Sequence, residues 1–570
     1  MKILKNIKSA INTFAHNQER LYILFCIVLM ITNCALAVTE RMTCCARIAF
    51  LLVPIAAQML LLAAAKKPGL FFLILIPKII LDAFQLVLLK LYGNSIIATD
   101  MFLNLVTTSA TEAGELLGSI APVILFMLIV YIPTICLAIT SVGNKRAIRP
   151  LFRKRALLSG GALLVAGIFF MFIAGGQTDG FRIKYDLYPA NVIYNLDYAV
   201  KKWKRIENYP VTSKDFTFQA QRPAAVKENG REIYMLVIGE TARADNWGMY
   251  GYQRNTTPML DTLPGLLKFR DVLSQSNTTH KSVPMILTPA SAENYALTYS
   301  SKSLVTLFKE AGFKTVYLTN HEYHHTLMAN YFKEADIALS IKDSASNSHD
   351  CQMIEPLRRI IDSTASNLFI VAHLYGSHFR YEERYDKEEA LFKPDVAENI
   401  SIRYKQELIN SYDNSILSTD RVLYNLIESI RRQNCISVCL YTSDHGEDLF
   451  DDRRGRFLHA SPIPTFYQMH VPFVAWSSPA YKEHYGEKWQ NMVDNSTLPL
   501  STSSAIFHTL ADLASIETKY LNSKLSLCSE EFETVPRRYL TDHEESVRID
   551  ELPLTKYDYE QFKEKNIQLH

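Results

Sequence analysis

Apolar residues are distributed unevenly along the chain. Long apolar runs occupy the first 176 residues, and the rest of the chain contains short ones. A helix that crosses a bilayer core needs about 20 predominantly apolar residues. Five runs reach or approach that length, and we predict a membrane-spanning helix for each: 21–38, 48–65, 70–91, 120–140 and 156–175.

The first apolar run has an alternative interpretation as a secretory signal. Ala35-Leu36-Ala37, near its end, resembles a small-residue cleavage site. Against cleavage, the 20 residues that precede the run are long for the basic region of a signal. Four more apolar runs also follow. We therefore favour a membrane helix here.

Basic residues in the connecting segments predict the orientation of these helices. Lys and Arg are concentrated before the first run, after the second (Lys66 and Lys67) and between the fourth and fifth. The positive-inside rule places these segments in the cytoplasm. Five crossings then put the chain after about Gly176, and also the loop 94–119, on the opposite side. That loop contains no Lys or Arg, which agrees with this orientation.

The segment 177–232 joins the membrane helices to the rest of the chain. Within it, the apolar residues of 190–206 recur at helical spacing, and basic residues crowd the end of the pattern. An amphipathic helix of this composition can lie on a membrane surface. The alternative is a helix packed on the soluble domain, and the sequence favours neither.

Past residue 232 the pattern changes to short apolar runs that alternate with helical patterns such as 408–430. This alternation is typical of an α/β domain with a mainly parallel sheet. We predict the α/β fold class in three parts: a transmembrane domain of five helices in 1–176, a bridging amphipathic segment in 177–232 and a soluble domain in 233–570. The strand candidates are 233–238, 313–318, 368–372, 436–441 and 472–476.

Composition and charge narrow the function classes. The chain has 570 residues, 21% of them charged, and a formal net charge of +2 at pH 7. Its overall charge therefore gives no electrostatic case for binding nucleic acid. Four of the nine cysteines belong to the soluble part, where an oxidising compartment permits disulfides. Their spacing predicts no particular pairing and contains no CxxC zinc pattern; they are Cys351, Cys435, Cys439 and Cys528.

The stretch YTSDHGEDLFDDRRGRFLH concentrates acidic and imidazole side chains after the fourth strand candidate. One interpretation is a solvated acidic loop. However, ligands in α/β sheets bind beyond the carboxyl ends of the strands. Glu240 follows the first candidate, His373 and His378 follow the third, and Asp444 and His445 follow the fourth. Carboxylate oxygen and imidazole nitrogen are zinc ligands, so we predict a zinc site at this edge of the sheet.

A transferase at such a site needs a nucleophile. The stretch SNTTHKSVPMILT, residues 276–288, offers several hydroxyl groups. A hydroxyl is a poor nucleophile at neutral pH, but coordination to zinc lowers the pKa of a bound oxygen and changes that. The residues alone leave open which hydroxyl reacts.

Four motifs together carry a resemblance: VIGETARADNWGMYGYQRNTTPML, TTHKSVP, INSYDNSILSTD and YTSDHGED. With them the chain resembles the phosphoethanolamine transferases that modify bacterial lipopolysaccharide, in the alkaline phosphatase/sulfatase superfamily. The resemblance covers most of the chain. It implies five membrane helices, a bridging segment and an α/β/α sandwich domain of alkaline phosphatase type in the periplasm.

The resemblance also implies a set of site residues. The family holds one zinc ion with a Glu, its nucleophilic Thr and an adjacent Asp-His pair, which correspond here to Glu240, Thr279, Asp444 and His445. Thr279 is chosen because the family places its nucleophile three residues before Ser-Val-Pro. Two further histidines would line the phosphate site or hold a second zinc; they correspond to His378 and His459, with His373 as a less certain partner. For each histidine the alternative is an ordinary packed or surface residue.

The membrane half contains two polar sets. Asn104, Thr108 and Glu112 are four residues apart and share one helix face. In the family this face contributes to the donor-lipid site, and the alternative is a solvated face. Lys78 and Asp82 lie inside the third apolar run. Charges inside a membrane usually have partners, so we expect these two to pair and to be structural.

Two features depart from the family pattern. His280-Lys281 stands where small or aromatic residues are common. Lys281 either stabilises phosphate charge or reaches solvent, and we favour solvent. Several relatives have multiple disulfides in the soluble domain, whereas four cysteines allow two at most, so we expect other interactions to hold the loops.

The resemblance implies a zinc-dependent transferase of the Gram-negative inner membrane with its catalytic domain in the periplasm. It would move phosphoethanolamine from phosphatidylethanolamine to lipid A or a core sugar of lipopolysaccharide, as enzymes linked to polymyxin resistance do. We expect a monomer. The alternatives are a glycerol-phosphate transferase and a sulfatase-like hydrolase, although a sulfatase nucleophile motif, Cys/Ser-x-Pro-x-Arg, would need Arg where Ile286 stands.

Overall fold

The structure, a computed structural model, describes residues 14–40, 42–92, 96–107, 110–177, 181–224, 230–323, 326–342 and 349–570. These residues form two compact units. The first consists of the described parts of Met1–Phe102 and Leu116–Ala199, and the second of those of Leu103–Glu115 and Val200–His570.

The described residues of this part of the chain form seven helices: α1 Gln18–Thr39, α2 Cys44–Ala64, α3 Pro68–Ile74, α4 Ile76–Tyr92, α5 Thr99–Thr107, α6 Ala110–Gly143 and α7 Pro150–Gly175. Six of them overlap the predicted apolar runs, whereas α5 lies in the segment 94–119, predicted as a loop. Polar caps and prolines start several of them. The Asn17 side chain accepts hydrogen bonds from two backbone N–H groups of α1, and Thr43 caps α2. Pro68 and Pro150 stand in the first turns of α3 and α7, where a missing N–H costs nothing.

Four of these helices contain a segment long and apolar enough to cross a membrane, and α3 with α4 makes a fifth if the bent pair counts as one span. The predicted third span is therefore broken, with an angle of 57° between its two halves. The break lies just before Pro77, which has no N–H to bond the preceding turn and disfavours helical backbone at the residue before it. The protein is thus a membrane-spanning protein with a soluble C-terminal part.

Lys78 and Asp82 pair with each other, as predicted from their spacing. Lys78 Nζ lies 2.9 and 2.7 Å from the two carboxylate oxygens of Asp82 and donates to the Leu29 carbonyl at 2.8 Å. The Tyr188 hydroxyl donates to the same carboxylate at 2.7 Å. The buried charges are therefore compensated within the first unit.

The amphipathic pattern of 190–206 forms a helix, α9 Ala190–Glu207, between two single turns, α8 Ile183–Asp186 and α10 Tyr209–Thr212. One side of α9 buries Val192, Ala199 and Ile206. The other apolar side chains of this helix are exposed, and Ile193 is 75% exposed. Together with Leu196, Val200 and Trp203 it forms an exposed apolar stripe at helical spacing. The end of the helix packs within the second unit, since Ile206 joins its core and Lys202 and Arg205 pair with Glu544. The exposed apolar stripe is the feature expected of a helix on a membrane surface, so the helix has features of both interpretations.

The second unit is built on a seven-stranded mixed sheet. Its order is β2-β10-β7-β1-β6-β4-β5, and β7, β1, β6, β4 and β5 run parallel. β10 is antiparallel to both of its neighbours. These strands are β1 Glu232–Gly239, β2 Leu267–Phe269, β4 Lys314–Thr319, β5 Ile337–Ser340, β6 Leu368–His373, β7 Ile436–Ser443 and β10 Phe473–Ser477.

All five strand candidates are present in this sheet. The sequence pattern missed β2 and β5, which are short strands at its two edges. Small two-stranded sheets add β3 Val272–Leu273, β8 Asp448–Leu449, β9 Phe457–Leu458, β11 Leu500–Ser501, β12 Arg538–Leu540 and β13 Ser546–Arg548.

From residue 279 on, the described part of the second unit also contains ten α-helices. They are α11 Thr279–Leu287, α12 Leu304–Glu310, α13 Leu327–Phe332, α14 Ile354–Ser363, α15 Lys405–Arg431, α16 Phe466–Met469, α17 Pro479–His484, α18 Gly486–Asn495, α19 Thr502–Leu513 and α20 Lys556–Glu564. Every residue of β1 and β7 is buried, as expected for strands with both faces covered. Because the parallel strands share a direction, the residues that follow β1, β4, β6 and β7 emerge at one edge.

Candidate active site

Glu240, Asp444 and His445 meet where the two central strands end. In the sheet register Gly239, the last residue of β1, lies opposite Ser443, the last residue of β7. Asp444 continues the pairing, since its backbone N–H donates to the Gly239 carbonyl at 3.1 Å. All three side chains are buried, so the register alone carries two carboxylates and an imidazole into one buried place.

Thr279 is the first residue of α11 and faces this cluster. Its Oγ1 lies 3.0 and 3.1 Å from the two carboxylate oxygens of Glu240, and 3.2 Å from Nε2 of His445. The structure therefore brings together the four residues that the resemblance assigns to one zinc ion.

The neighbouring hydroxyl groups are occupied elsewhere. Thr278 Oγ1 lies 3.2 Å from the Ser276 hydroxyl. Ser282 is fully buried, and its Oγ donates to the backbone carbonyl of Asp444 at 2.5 Å. Of the three hydroxyls that compete in this stretch, Thr279 is the one directed at the carboxylates.

Asp444 has one satisfied carboxylate oxygen and one open one. Oδ1 accepts hydrogen bonds from the backbone N–H groups of Thr241, at 3.2 Å, and of His445, at 2.7 Å. Oδ2 makes no hydrogen bond to any residue that the structure describes, and lies 3.3 Å from Nε2 of His445. A buried carboxylate oxygen without a donor is costly, which favours a cation as its partner.

The tautomer of His445 follows from its second nitrogen. Nδ1 lies 2.9 Å from the Gly446 carbonyl, which can only accept, so Nδ1 carries the proton. Burial lowers the pKa of His445, although Asp444 acts in the opposite direction. A neutral ring with this tautomer presents the lone pair of Nε2 to Thr279, Glu240 and Asp444.

This donor set fits zinc. Glu240, Asp444 and His445 can each place a ligand atom within 4.8 Å of the others, and the Thr279 hydroxyl oxygen adds a fourth. Zinc takes four oxygen, nitrogen or sulfur ligands in tetrahedral sites, and its histidine ligands commonly donate the other ring N–H to a carbonyl. The protonated Nδ1 of His445 meets that second condition.

A second possible donor group shares Glu240 with His321 and His373. His373 ends β6, and its Nδ1 lies 2.6 Å from the Tyr323 hydroxyl. In the described part of the chain its Nε2 has no hydrogen-bond partner. The His321 ring stacks on that of His373 at 4.0 Å, and burial lowers the pKa of both, more strongly for His373.

Sequence reasoning missed His321. It follows β4, whose carboxyl end lies at the same edge as those of β1, β6 and β7. The sequence pattern predicts the strand but no ligand after it. The strand-end rule that selected Glu240 and Asp444 would therefore have found His321 as well.

His378 and His459 lie beside the cluster of Glu240, Asp444 and His445, on the side of the His445 ring. Their ring centroids are 6.2 Å apart, and the His459 ring lies 4.3 Å from that of His445. His378 Nδ1 lies 2.8 Å from the Phe379 carbonyl, and burial holds the pKa of His378 well below its usual value. His459 Nδ1 lies 3.1 Å from the carboxylate of Glu447, whose pKa burial raises to about 8. His459 thus lies against His445, and His378 lies next to His459.

The other acidic residues after β7 have structural partners. Asp448 accepts from Thr465 and Gln468, and Asp451 pairs with Arg243 at 2.8 Å. Asp452 pairs with Arg454. Asp444, Glu447 and Asp448 are buried, so the interpretation of this stretch as a solvated loop is wrong.

These pairs also hold the loop without a disulfide. Arg454 bridges from Asp452 to Asp558 of α20, at 2.8 Å from the latter. All nine cysteines lie in the described residues, and each has a free thiol. Ion pairs therefore hold this loop in place.

The expectation that Lys281 reaches solvent is wrong. Its side chain is 1% exposed, and Nζ lies 3.3 and 3.2 Å from the backbone carbonyls of Leu540 and Thr541. The position of β12, which is distant in the chain, explains this difference. The end of β12 brings the carbonyl groups of Leu540 and Thr541 against the Lys281 side chain of α11. Lys281 thus helps to fix the helix that begins with Thr279.

The predicted donor-lipid residues fall where the structure gives little description. Thr108 lies outside the described residues. Asn104 and Glu112 lie on α5 and α6, but their side chains are also outside what is described. Their shared face therefore stays a prediction.

Comparison with known proteins identifies two families. Residues 232–516 match the family described as Sulfatase, and residues 49–202 match the family described as Phosphoethanolamine transferase EptA/EptB. The first match covers the central sheet, Thr279 and the carboxylate and histidine residues described around it, from Glu240 to His459. The second covers most of the membrane helices and reaches into α9.

Curated relatives are similar over part of their length. The phosphoethanolamine transferase EptC of Escherichia coli (strain K12) is 27% identical over 341 residues, which cover 57% of this chain and 58% of that protein. The Kdo(2)-lipid A phosphoethanolamine 7''-transferase of the same strain is 29% identical over 281 residues, 48% of either protein. The chain thus spans about half the length of the curated relatives that it matches.

Solved structures share the fold. The periplasmic domain of EptC from Escherichia coli, also solved in complex with Zn, matches with a TM-score of 0.52 and 26% identity over 57% of this chain and 95% of that one. The integral membrane protein EptA from Neisseria meningitidis matches with a TM-score of 0.69 and 21% identity over 88% of this chain and 97% of that one. The fold is therefore shared from the membrane helices to the sheet. The chain therefore belongs to the sulfatase family, and its residues 49–202 match the family of the phosphoethanolamine transferases EptA/EptB.

Proposed function

We propose that the protein transfers phosphoethanolamine from phosphatidylethanolamine to lipid A or to a core sugar of lipopolysaccharide, with Thr279 as the nucleophile. The observation that carries the proposal is the position of Thr279 Oγ1, within 3.0–3.2 Å of Glu240 and His445. Relatives whose names state phosphoethanolamine transfer support the chemistry of the group that is moved.

Glu240, Thr279, Asp444 and His445 would hold one zinc ion. When bound there, zinc acts as a Lewis acid that favours the alkoxide form of a coordinated hydroxyl. His378 and His459, with His373 as a further partner, would contact the phosphate group or hold a second ion.

In the first half of the reaction, Thr279 Oγ attacks the phosphorus of the donor. A bond forms between Oγ and phosphorus, and the bond from phosphorus to the diacylglycerol oxygen breaks. The Glu240 carboxylate lies within hydrogen-bond distance of the Thr279 hydroxyl and can accept its proton. The departing diacylglycerol oxygen takes up a proton. Because Thr279 begins α11, the positive end of the helix dipole lies beside the phosphate.

In the second half, an oxygen of the acceptor attacks the phosphorus of phospho-threonine. The bond to Thr279 breaks, and Oγ regains a proton. When the acceptor is a hydroxyl group, a base must remove its proton. His378 or His459 can do so, and burial keeps His378 neutral and ready to accept.

This function places the first unit in the bacterial inner membrane and the sheet in the periplasm. We propose the division into a transmembrane domain, 1–176, a bridging segment, 177–232, and a catalytic domain, 233–570. The donor is then a component of the same membrane as α1–α7, and the protein acts as a monomer. Addition of a positively charged amine to lipopolysaccharide reduces its negative charge, which is the physical basis for resistance to polymyxin.

The sulfatase-like alternative receives no support from the site. Its nucleophile would be Ser282, which is fully buried and bonded to the Asp444 carbonyl. The position that would carry the motif's Arg is Ile286, also fully buried. Glycerol-phosphate transfer uses the same nucleophile, so the donor used in the test must separate it from phosphoethanolamine transfer.

The test is the mass of the peptide that contains Thr279. Full-length protein in detergent, loaded with zinc, is incubated with phosphatidylethanolamine, and in parallel with phosphatidylglycerol. We expect an added phosphoethanolamine mass on the wild-type peptide and none on that of Thr279→Ala. The substitution should change the unfolding free energy by about 0.5 kcal/mol or less, since it truncates one small side chain at a helix start.

Two control variants and three contradicting outcomes complete the test. Thr278→Ala should retain the adduct, and Thr279→Ser should retain part of it because the hydroxyl remains. An adduct that maps to Ser282 would show that the wrong hydroxyl has been assigned. A glycerol-phosphate adduct alone would establish the other transferase, and transfer by Thr279→Ala at the wild-type rate would exclude a covalent step at Thr279.

A further inference from the structure

A second cluster of potential ligands lies outside the residues that surround Thr279. It consists of His349, Cys351 and Asp386, whose donor atoms can all lie within 4.8 Å of one another. His349 and Cys351 belong to the single turn Asp350–Met353 and the residue before it, which lead into α14. Asp386 precedes another single turn, Lys387–Glu389. None of the three takes part in the proposed transfer.

The spacing of these atoms suits a tetrahedral ion. His349 Nδ1 lies 3.0 Å from Asp386 Oδ1. Ligands that stand about 2.0–2.3 Å from a zinc ion lie roughly 3.3–3.7 Å from one another in a tetrahedron. Small side-chain rotations would therefore bring nitrogen, oxygen and sulfur to coordination distance without moving the backbone.

The chemistry of the set also points to a zinc-like ion. Thiolate and imidazole together select zinc over calcium or magnesium, which prefer oxygen ligands alone. Three carboxylates, Asp386, Asp350 and Glu389, place negative charge near the Cys351 thiol. The His349 side chain is 20% exposed and that of Asp386 54% exposed, so an ion can enter and water can complete its coordination.

An ordinary ion pair explains only part of this arrangement. A protonated His349 would pair with Asp386 and account for those two residues. It gives no role to Cys351, an exposed thiol within reach of both. Exposed free thiols are otherwise a liability on a protein surface, because they oxidise and form unwanted bonds.

We propose that His349, Cys351 and Asp386 bind a zinc-like divalent cation at a site separate from that of Glu240, Asp444 and His445. Three ligands come from the protein, and the fourth position is open to water. The ion displaces a proton from Cys351 and joins two turns that are distant in sequence. Metal clips of this kind restrict the loops that they close.

This site would steady the segment that leads to His378. Asp350, between the two ligands of the first turn, accepts hydrogen bonds from the backbone N–H groups of Tyr375 and Gly376 at 2.9 and 2.8 Å. On the other side, Arg384 donates to the His378 carbonyl at 2.9 Å. An ion between the two turns therefore clamps both ends of the loop that carries His378, and the three ligands act as positioning residues.

Cobalt provides a probe that reports on this site alone. The residues around Thr279 offer oxygen and nitrogen ligands, so a sulfur-to-cobalt charge-transfer band in the near ultraviolet would come from a cysteine. We expect full-length protein in detergent to show this band on addition of Co²⁺. Cys351→Ser should abolish it, His349→Ala should weaken it, and Cys435→Ser, a matched control at another partly exposed cysteine, should leave it unchanged.

Alkylation of Cys351 supplies an independent measurement. Zinc should slow the modification of Cys351 by about tenfold or more, because a metal-bound thiolate is not free to attack, and should leave Cys435 unaffected. The protection should be lost in Asp386→Asn. Equal alkylation with and without zinc, or a cobalt band that survives Cys351→Ser, would overturn the proposal.

The test separates this proposal from that of the proposed function. His445→Ala should remove the ion beside Thr279 but keep the cobalt–sulfur band and the protection of Cys351. Conversely, Cys351→Ser should still form the adduct on Thr279. Loss of both properties in both variants would indicate a single shared site and would refute a separate one.

Discussion

Lys78 and Asp82 are buried among the apolar helices of the first unit, and Glu240 and Asp444 are buried at the strand ends of the second. In the first unit a cation and an anion lie 2.7 Å apart, and the Tyr188 hydroxyl completes the carboxylate's bonds. In the second unit the carboxylates of Glu240 and Asp444 both lie close to the neutral imidazole of His445. Asp444 Oδ2 makes no hydrogen bond within the described residues.

The difference shows how buried charge can indicate either structure or chemistry. A buried charge must be compensated, since an isolated ion in a medium of low dielectric constant is strongly destabilised. The pair in the membrane helices is compensated by the chain itself. The group at the sheet edge presents acceptors that converge on one point, which is the arrangement expected when the compensating charge comes from a bound ion.

The largest expected effect on stability comes from breaking the ion pair between Lys78 and Asp82. Lys78→Met leaves Asp82 buried without its cation, and we expect a loss of about 3–5 kcal/mol in the free energy of unfolding. Unfolding of the full chain in detergent measures it. Lys78→Met combined with Asp82→Asn should recover most of the loss. Lys90→Met, at an exposed lysine of α4, is the control. A single variant as stable as wild type would mean that the pair is not needed to compensate the buried carboxylate.

The next largest effect comes from replacing Asp444 Oδ2, the carboxylate oxygen without a hydrogen-bond partner in the described residues. Asp444→Asn keeps a carbonyl oxygen for Thr241 and His445 but replaces the free oxygen with an NH₂ group. We expect zinc affinity and transfer to fall by about 100-fold or more, since even partners outside the ligand set cost 10–100-fold. Stability without metal should not fall, because one buried negative charge is gone.

Elemental analysis and thermal unfolding of the metal-free protein measure these two properties. Asp215→Asn, at an exposed carboxylate of the same unit, serves as the control. Zinc content equal to that of the wild type in Asp444→Asn would remove this residue from the ligand set and weaken the comparison between the two units.

A smaller effect on stability is expected at Lys281 in α11, a buried cation that has backbone carbonyl groups as partners. Lys281→Met should cost about 1–3 kcal/mol of stability, because the carbonyls of Leu540 and Thr541 lose a donor. Adduct formation on Thr279, measured per folded molecule, should stay near the wild-type rate. A strong loss of transfer with unchanged stability would instead assign Lys281 to the phosphate, and Lys314→Met, at an exposed lysine, is the matched control.

The smallest effect concerns the histidine next to Glu240. Tyr323→Phe removes the hydroxyl that lies 2.6 Å from His373 Nδ1. The same hydroxyl also accepts a hydrogen bond from Thr319 at 3.1 Å and lies 3.2 Å from the Tyr317 hydroxyl. We expect a loss of about 0.5–1.5 kcal/mol for these contacts together, on the scale of one net hydrogen bond, measured by denaturant unfolding of the metal-free protein. A gain in stability would show that His373 needs no partner at this nitrogen.

Local pattern was enough to predict much of the fold. Apolar runs of the right length correspond to the helices of the first unit, and five short runs correspond to strands of the sheet. The missed elements are explained by the same physics: β2 and β5 are too short to show a period, and Pro77 interrupts a run that is otherwise continuous. Because the predicted strands are parallel, the residues after them lie at one edge of the sheet, which is why Glu240, Asp444 and His445 could be predicted as ligands of one site.

The sequence by itself therefore determined the division into membrane and soluble parts, the class of the fold and, through its motifs, the family. Tertiary structure decided which polar groups meet. The direction of Thr279 rather than Ser282, the burial of Lys281, the place of His321 and the cluster of His349, Cys351 and Asp386 all depend on residues far apart in the chain. The physical reason is that burial and periodicity are properties of neighbouring residues, whereas the partner of a buried polar side chain is whichever group the completed packing brings within about 3 Å of it.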